Sequence, residues 1–127
     1  MSKRVLVVED DSLLLELIQF KLQKHGFHVD VGHDGEKALQ ILRENNVDAV
    51  ILDLMMPKVD GFQLMRTLHA EKGHLPAVFI VVSARAGEED VLNAFELGAV
   101  DYMTKPFSLD ELVARLQIAL RFKSPQE

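Results

Sequence analysis

Apolar residues along the chain fall into two alternating periods. RVLVVE, residues 4–9, is a short β-branched run of the kind that makes a strand buried on both faces. Asp11 or Ser12 can cap a helix whose apolar positions Leu14, Leu17, Ile18 and Leu22 keep helical spacing, with Gly26 ending it. FHVDVG alternates as a strand does, and DGEKALQILREN reads as a helix. DAVILD is a second fully apolar strand, and after MMPKVDG a helix runs through Leu64, Met65 and Leu68 to end near Gly73 and Pro76. AVFIVVS, a helix over residues 88–97, the strand VDYMT and a last helix over 109–122 complete the pattern.

Strands that alternate with helices predict an α/β fold, a parallel sheet covered on both faces. Right-handed crossovers leave few windings, and the doubly wound, flavodoxin-like five-strand order 2-1-3-4-5 is the one expected. Residues 1–122 then form one domain, and KSPQE (123–127) is a frayed tail or the start of a linker. The length of 127 residues suffices for a real core. With 48% hydrophobic and 27% charged residues the chain reads as globular rather than disordered. A net charge of -6 argues against a broad nucleic-acid footprint. The absence of cysteine removes disulfides, thiolate metal sites and cysteine nucleophiles. The opening MSKRVLVVED is neither a signal peptide nor a membrane span, so no membrane partner and a cytoplasmic location are expected.

A parallel sheet places its chemistry at the carboxyl ends of the strands, near the point where strand order reverses. The first strand ends in Glu9, Asp10 and Asp11, the third in Asp53, the fourth in Ser83, and the fifth leads into Lys105. Clustered carboxylates raise one another's pKa unless a cation joins them. Oxygen ligands without sulfur or imidazole suit Mg²⁺, with Mn²⁺ as the alternative ion. Beside such a cation a carboxylate can attack an activated phosphoryl donor. Asp53, the single acid between the other sets, is the expected nucleophile; Glu9 and Asp10 are the expected ligands. Lys105 supplies a fixed positive charge and Ser83 a hydrogen bond. Each residue also has a plainer reading. Asp10, Asp11 and Ser12 can cap the first helix, Ser83 can start one, and Lys105 can be an exposed loop lysine. Met55 and Met56 read as loop or core filler. The five histidines, His25, His28, His33, His69 and His74, have no metal or catalytic spacing and read as surface residues.

VLVVEDD, LDLMMPKVDG, VVSAR and DYMTKPF together resemble the receiver domain of bacterial two-component response regulators, over essentially the whole chain. The resemblance implies that Asp53 is the phosphoacceptor and that Glu9 and Asp10 bind Mg²⁺ with it, the backbone carbonyl of Met55 being the remaining protein ligand. It implies further that Ser83 and Tyr102 form the switch, that the Lys105-Pro106 bond is cis, and that Ala84 leaves room for the phosphoryl group. A sensor histidine kinase or phosphotransfer protein would be the donor, and a downstream effector or output domain would read the face made by the fourth helix, fifth strand and fifth helix. GAVDYMTKPFSLDELVARLQIALR resembles receivers of winged-helix transcription factors, which dimerise through that face. Asp101, Glu111 and Arg115 match residues used there. Val91, Val100 and Gln117 depart from the charged pattern, and Ser108 with Glu111 also reads as a capping box.

Two other functions stand beside this one. Haloacid-dehalogenase-like hydrolases also place a nucleophilic aspartate after a strand, but need a second aspartate two residues on, where this chain has Met55. A receiver-like interaction module that takes no phosphate is the third reading, and the complete set of Glu9, Asp10, Asp53 and Lys105 argues against it. The expectation is a signalling domain rather than an enzyme.

Overall fold

The computed structural model describes residues 2–56, 58–71 and 78–122. Its strands are β1 (Arg4–Val8), β2 (His28–Gly32), β3 (Ala49–Asp53), β4 (Val78–Ser83) and β5 (Asp101–Thr104). Its helices are α1 (Ser12–Lys24), α2 (Gly35–Glu44), α3 (Gly61–Ala70), α4 (Glu88–Glu96) and α5 (Leu109–Arg121). All strand pairs are parallel, and the sheet order is β2-β1-β3-β4-β5. This is the expected doubly wound order. Helix α3 ends earlier than expected, at Ala70, where the Glu71 amide closes the last turn on the Thr67 carbonyl. Gly73, His74, Pro76 and the tail over 123–127 lie outside the described residues.

Side chains of a strand alternate between faces, so each apolar strand feeds two cores. Leu6, Val8, Val50, Leu52, Phe79 and Val81 pack with Ala38 and Leu42 of α2, Leu64, Met65 and Leu68 of α3, and Ala94 of α4. Val5, Val7, Ile51, Ile80 and Val82 pack on the other face with Leu15, Ile18 and Leu22 of α1 and Leu112, Val113 and Leu116 of α5. Strands β1, β3 and β4 are therefore rigid to their last residues, where the candidate side chains stand.

Local signals start and stop the helices. The Asp11 carboxylate accepts from the Leu13 and Leu14 amides at 3.1 and 3.2 Å, which makes Asp11 the α1 cap and Ser12 its first residue. Gly26, at φ +87°, follows the helix in the left-handed conformation that glycine favours. Asp60 and Gln63 form a reciprocal capping box on α3. Only the Ser108 half of the box expected on α5 forms: its hydroxyl accepts from the Glu111 amide at 3.2 Å, while the Glu111 carboxylate accepts from Arg115. Strand β5 begins one residue later than expected, although the Val100 amide still bonds to the Phe79 carbonyl at 2.8 Å.

One expectation about the core is corrected. Leu17, assigned to the buried stripe of α1, is 45% exposed, and Leu15 takes the buried place. The run SLLLELIQF offers apolar residues on more than one side of the helix, so spacing alone selects the wrong one. Replacement of Ile18, fully buried, by Ala is expected to cost about 2–5 kcal/mol in urea unfolding. Leu17→Ala is expected to stay within about 0.5 kcal/mol of wild type. Equal losses at both positions would contradict this arrangement.

Candidate functional site

Register decides what meets at the carboxyl edge of the sheet. Val8 pairs with Leu52, Asp53 with Val82, and Ser83 with Thr104. Glu9, Asp53, Ser83 and Lys105 consequently leave β1, β3, β4 and β5 at one level. The Lys105 amide ties this edge together by donating to the Ser83 carbonyl at 2.8 Å. The Lys105-Pro106 peptide bond is cis, as expected.

Glu9 is 1% exposed, Asp53 3% and Ser83 0%, and Lys105, paired with two of them, is not the exposed loop lysine of the plainer reading. The Lys105 ammonium lies 2.9 Å from Glu9 Oε1 and 2.9 Å from Asp53 Oδ2. It donates a hydrogen bond to Asp53, whereas Glu9 Oε1 is paired by charge without a well-directed donor. Glu9 Oε2 accepts from the Asp11 amide at 3.1 Å, and Asp53 Oδ1 accepts from the Met55 amide at 3.0 Å. Burial, reinforced by the Asp53 charge, raises the Glu9 pKa above the usual carboxylate range, against the pull of Lys105 and the Asp11 amide. Burial alone would lower the Lys105 pKa; the two carboxylates outweigh it and the pKa is raised.

Carboxylate oxygens of Glu9, Asp10 and Asp53 all lie within 4.8 Å of one another, with Asp10 exposed at the mouth. The donors are all hard oxygens, and Glu9 Oε1 is a buried oxygen without an aligned donor. This set fits a small divalent cation. Met55 is 49% exposed, and Met56 packs against the core. Ala84 is exposed next to Ser83.

Residue 85 joins the hydroxyl to the surface beyond. The Arg85 amide donates to Ser83 Oγ at 3.1 Å, its carbonyl accepts from the Tyr102 hydroxyl at 2.8 Å, and its guanidinium lies 3.6 Å from Asp90 of α4. On the neighbouring face Arg115 is committed within the chain, to Asp101 at 2.8 and 3.0 Å and to Glu111 at 2.8 and 3.1 Å. Val100, Ile118 and Phe122 are exposed beside it. His25, His28, His33 and His69 are exposed, as expected. His69 nonetheless reaches the Leu97 carbonyl at the end of α4, 2.5 Å away. The α1 face next to the site carries a feature that helical spacing did not predict. Leu13 and Leu17 line a groove of about 380 Å³ with Lys105, Pro106 and Phe107, and Phe20 is exposed on the same helix. Three exposed large apolar residues on one helix were the available signal. Among the described residues no helix is long and apolar enough to cross a membrane.

The profile of the response regulator receiver domain family matches residues 5–117. The response regulator MprA of Mycobacterium sp. (strain KMS) is 39% identical over all 127 residues, which cover 54% of that protein. The chain thus spans about half the length of the curated relatives it matches. The non-phosphorylated HemR receiver domain of Leptospira biflexa superposes with a TM-score of 0.89 at 32% identity, over 99% of this chain and 100% of that one. The Francisella response regulator 1452 receiver domain superposes with a TM-score of 0.87 at 35% identity, over 94% and 98%.

Removing the Lys105 cation leaves two buried carboxylates facing each other. Lys105→Met is expected to lower stability by about 1–3 kcal/mol in metal-free buffer, less than a fully buried pair because the ammonium is partly solvated. Mg²⁺ should restore part of the loss, read as melting temperature with and without the ion. An unchanged melting temperature in metal-free buffer would contradict the pairing.

Proposed function

Because the chain belongs to the response regulator receiver domain family, we propose that it takes a phosphoryl group onto Asp53 from the phosphohistidine of a sensor kinase or phosphotransfer protein. The observation that carries this reading is Asp53 held at a buried strand end, 2.9 Å from Lys105 and within 4.8 Å of two further carboxylates. Mg²⁺, or Mn²⁺, held by Glu9, Asp10, Asp53 and the Met55 carbonyl, supplies charge neutralisation for the phosphoryl oxygens when bound. An Asp53 oxygen forms a bond to phosphorus as the phosphorus–nitrogen bond breaks. The electron pair leaves on the imidazole nitrogen, which then takes a proton. Burial keeps Asp53 in one orientation, and that positioning is most of what phosphoryl transfer asks of a protein. Lys105 moves with the charge, from the carboxylate to the new phosphoryl oxygens. The domain promotes only its own phosphorylation and dephosphorylation, so it acts as a signalling domain and not as an enzyme on other substrates.

Phosphorylation adds about -2 charge at Asp53. The Ser83 hydroxyl turns its proton to a phosphoryl oxygen, and the Arg85 amide that it holds follows. Because the same residue accepts from Tyr102 and reaches Asp90, the movement is passed to α4 and β5. This is a shift between two populations a few kcal/mol apart. The α4-β5-α5 face then controls an output domain, an effector or a homodimer. Winged-helix regulators are the subfamily it resembles, and its departures at Val91 and Val100 favour apolar over ionic contacts there, while Gln117 removes a charge. The donor docks over the exposed leucines of α1. A cytoplasmic location goes with such partners, and the charge of -6 leaves no direct role for nucleic acid at this domain.

Incubation with Mg²⁺ and acetyl phosphate, followed by intact mass measurement, is expected to add one phosphoryl group to wild type and none to Asp53→Asn. Equal gain by the variant, or no gain by wild type, would overturn the assignment. Met55, bulky, apolar and two residues from Asp53, obstructs the attacking water, so the phosphoryl group is expected to last hours. A lifetime of seconds in buffer with Mg²⁺ would contradict that role.

A further inference from the structure

The segment joining β3 to α3 is closed at its base and pinned at its tip. At the base the Gly61 amide donates to the Leu54 carbonyl at 3.1 Å. A Cβ on Gly61 would stand 2.8 Å from Leu54 Cα, so the two ends touch backbone to backbone. At the tip, residue 59 rests on the first turn of α2. A Cβ on Gly35 would fall 2.1 Å from the Val59 carbonyl oxygen and 2.5 Å from its Cβ, a space no side chain can share. Lys58, beside it, holds φ +69°, a left-handed conformation that a lysine rarely adopts. Its ammonium lies 3.7 Å from Asp34, the α2 cap, and 3.6 Å from Glu36. Met55 sits between these two anchors, directly after Leu54.

We propose that Gly35 is a positioning residue for the metal and phosphoryl centre: by letting Val59 seat on the α2 N-terminus, with Lys58 held by Asp34 and Glu36, it fixes the backbone of Met55 beside Asp53. The inference rests on the cation-binding reading above and deepens it. Met55 already donates its amide to Asp53 Oδ1 and directly follows Leu54, whose carbonyl Gly61 closes upon. A methyl group at residue 35 displaces the Val59 backbone, since a carbonyl is not the free end of a flexible side chain. Val59 and Met55 belong to the same short connection between β3 and α3, so a shift at one bears on the other. Cation ligands set by supporting contacts of this kind lose affinity when the support is removed.

The test is a titration of the whole chain with Mg²⁺ alone, followed by the amide resonances of Asp53 and Met55, beside thermal melting without the ion. Gly35→Ala is expected to weaken Mg²⁺ binding by about tenfold or more. Lys58→Ala, at an exposed side chain that tolerates change, is expected to weaken it by about two- to threefold, the loss vanishing at high salt. A folded Gly35→Ala protein with lowered melting temperature and wild-type Mg²⁺ affinity would make the contact merely structural and overturn the proposal. Should Gly35→Ala not fold, Lys58→Ala decides, with wild-type affinity at low salt overturning the proposal. Wild type without Mg²⁺ binding is a different result, which removes the cation-binding reading itself.

Discussion

The Lys105 ammonium, 2.9 Å from Glu9 and 2.9 Å from Asp53, is the contact on which the edge of the sheet depends. Both carboxylates are almost fully buried, and neither is tolerable there alone. One ammonium among the three carboxylates of Glu9, Asp10 and Asp53 leaves an excess of two negative charges, which one divalent cation cancels. Burial raises the Glu9 pKa, and the Asp53 charge adds to it. The edge is still electrostatically incomplete, and the proposed cation and phosphoryl group would answer that imbalance.

Rigidity and mobility are divided between strands and loops. Asp53 and Ser83 end strands buried on both faces, so their backbones have little freedom. Their partners beyond the strand ends are carried by loops: residue 85, held by Ser83, Tyr102 and Asp90, on one side, and Met55, beside the Leu54–Gly61 closure, on the other. In the proposed switch a change at Asp53 would leave the sheet unaltered and be expressed in the loops and in α4, whose N-terminus has no side-chain cap.

Much of this was legible in the sequence because it follows from periodicity and from where chemistry falls along it. The fully apolar runs before Asp53 and Ser83 predict central parallel strands, and the 2-1-3-4-5 order brings Glu9, Asp53, Ser83 and Lys105 to one edge without knowledge of a single distance. Where apolar residues are too many the pattern becomes ambiguous, as at Leu15 and Leu17 of α1. Contacts between distant segments leave no periodic trace at all. Nothing around Gly35 announces that Val59 rests on it, and nothing around His69 announces the Leu97 carbonyl. The half-formed box on α5 has the same origin: Arg115, one helical turn on, competes for the Glu111 carboxylate and has Asp101 to anchor it.

A crystal structure of the domain with Mg²⁺ and beryllofluoride would test the central claim most directly. The account requires the beryllium bonded to an Asp53 oxygen, the cation among Glu9, Asp10, Asp53 and the Met55 carbonyl, and Lys105 Nζ turned from Asp53 to a fluorine. Beryllofluoride bound elsewhere, or a site left without it while Lys105 still bridges Glu9 and Asp53, would contradict the account.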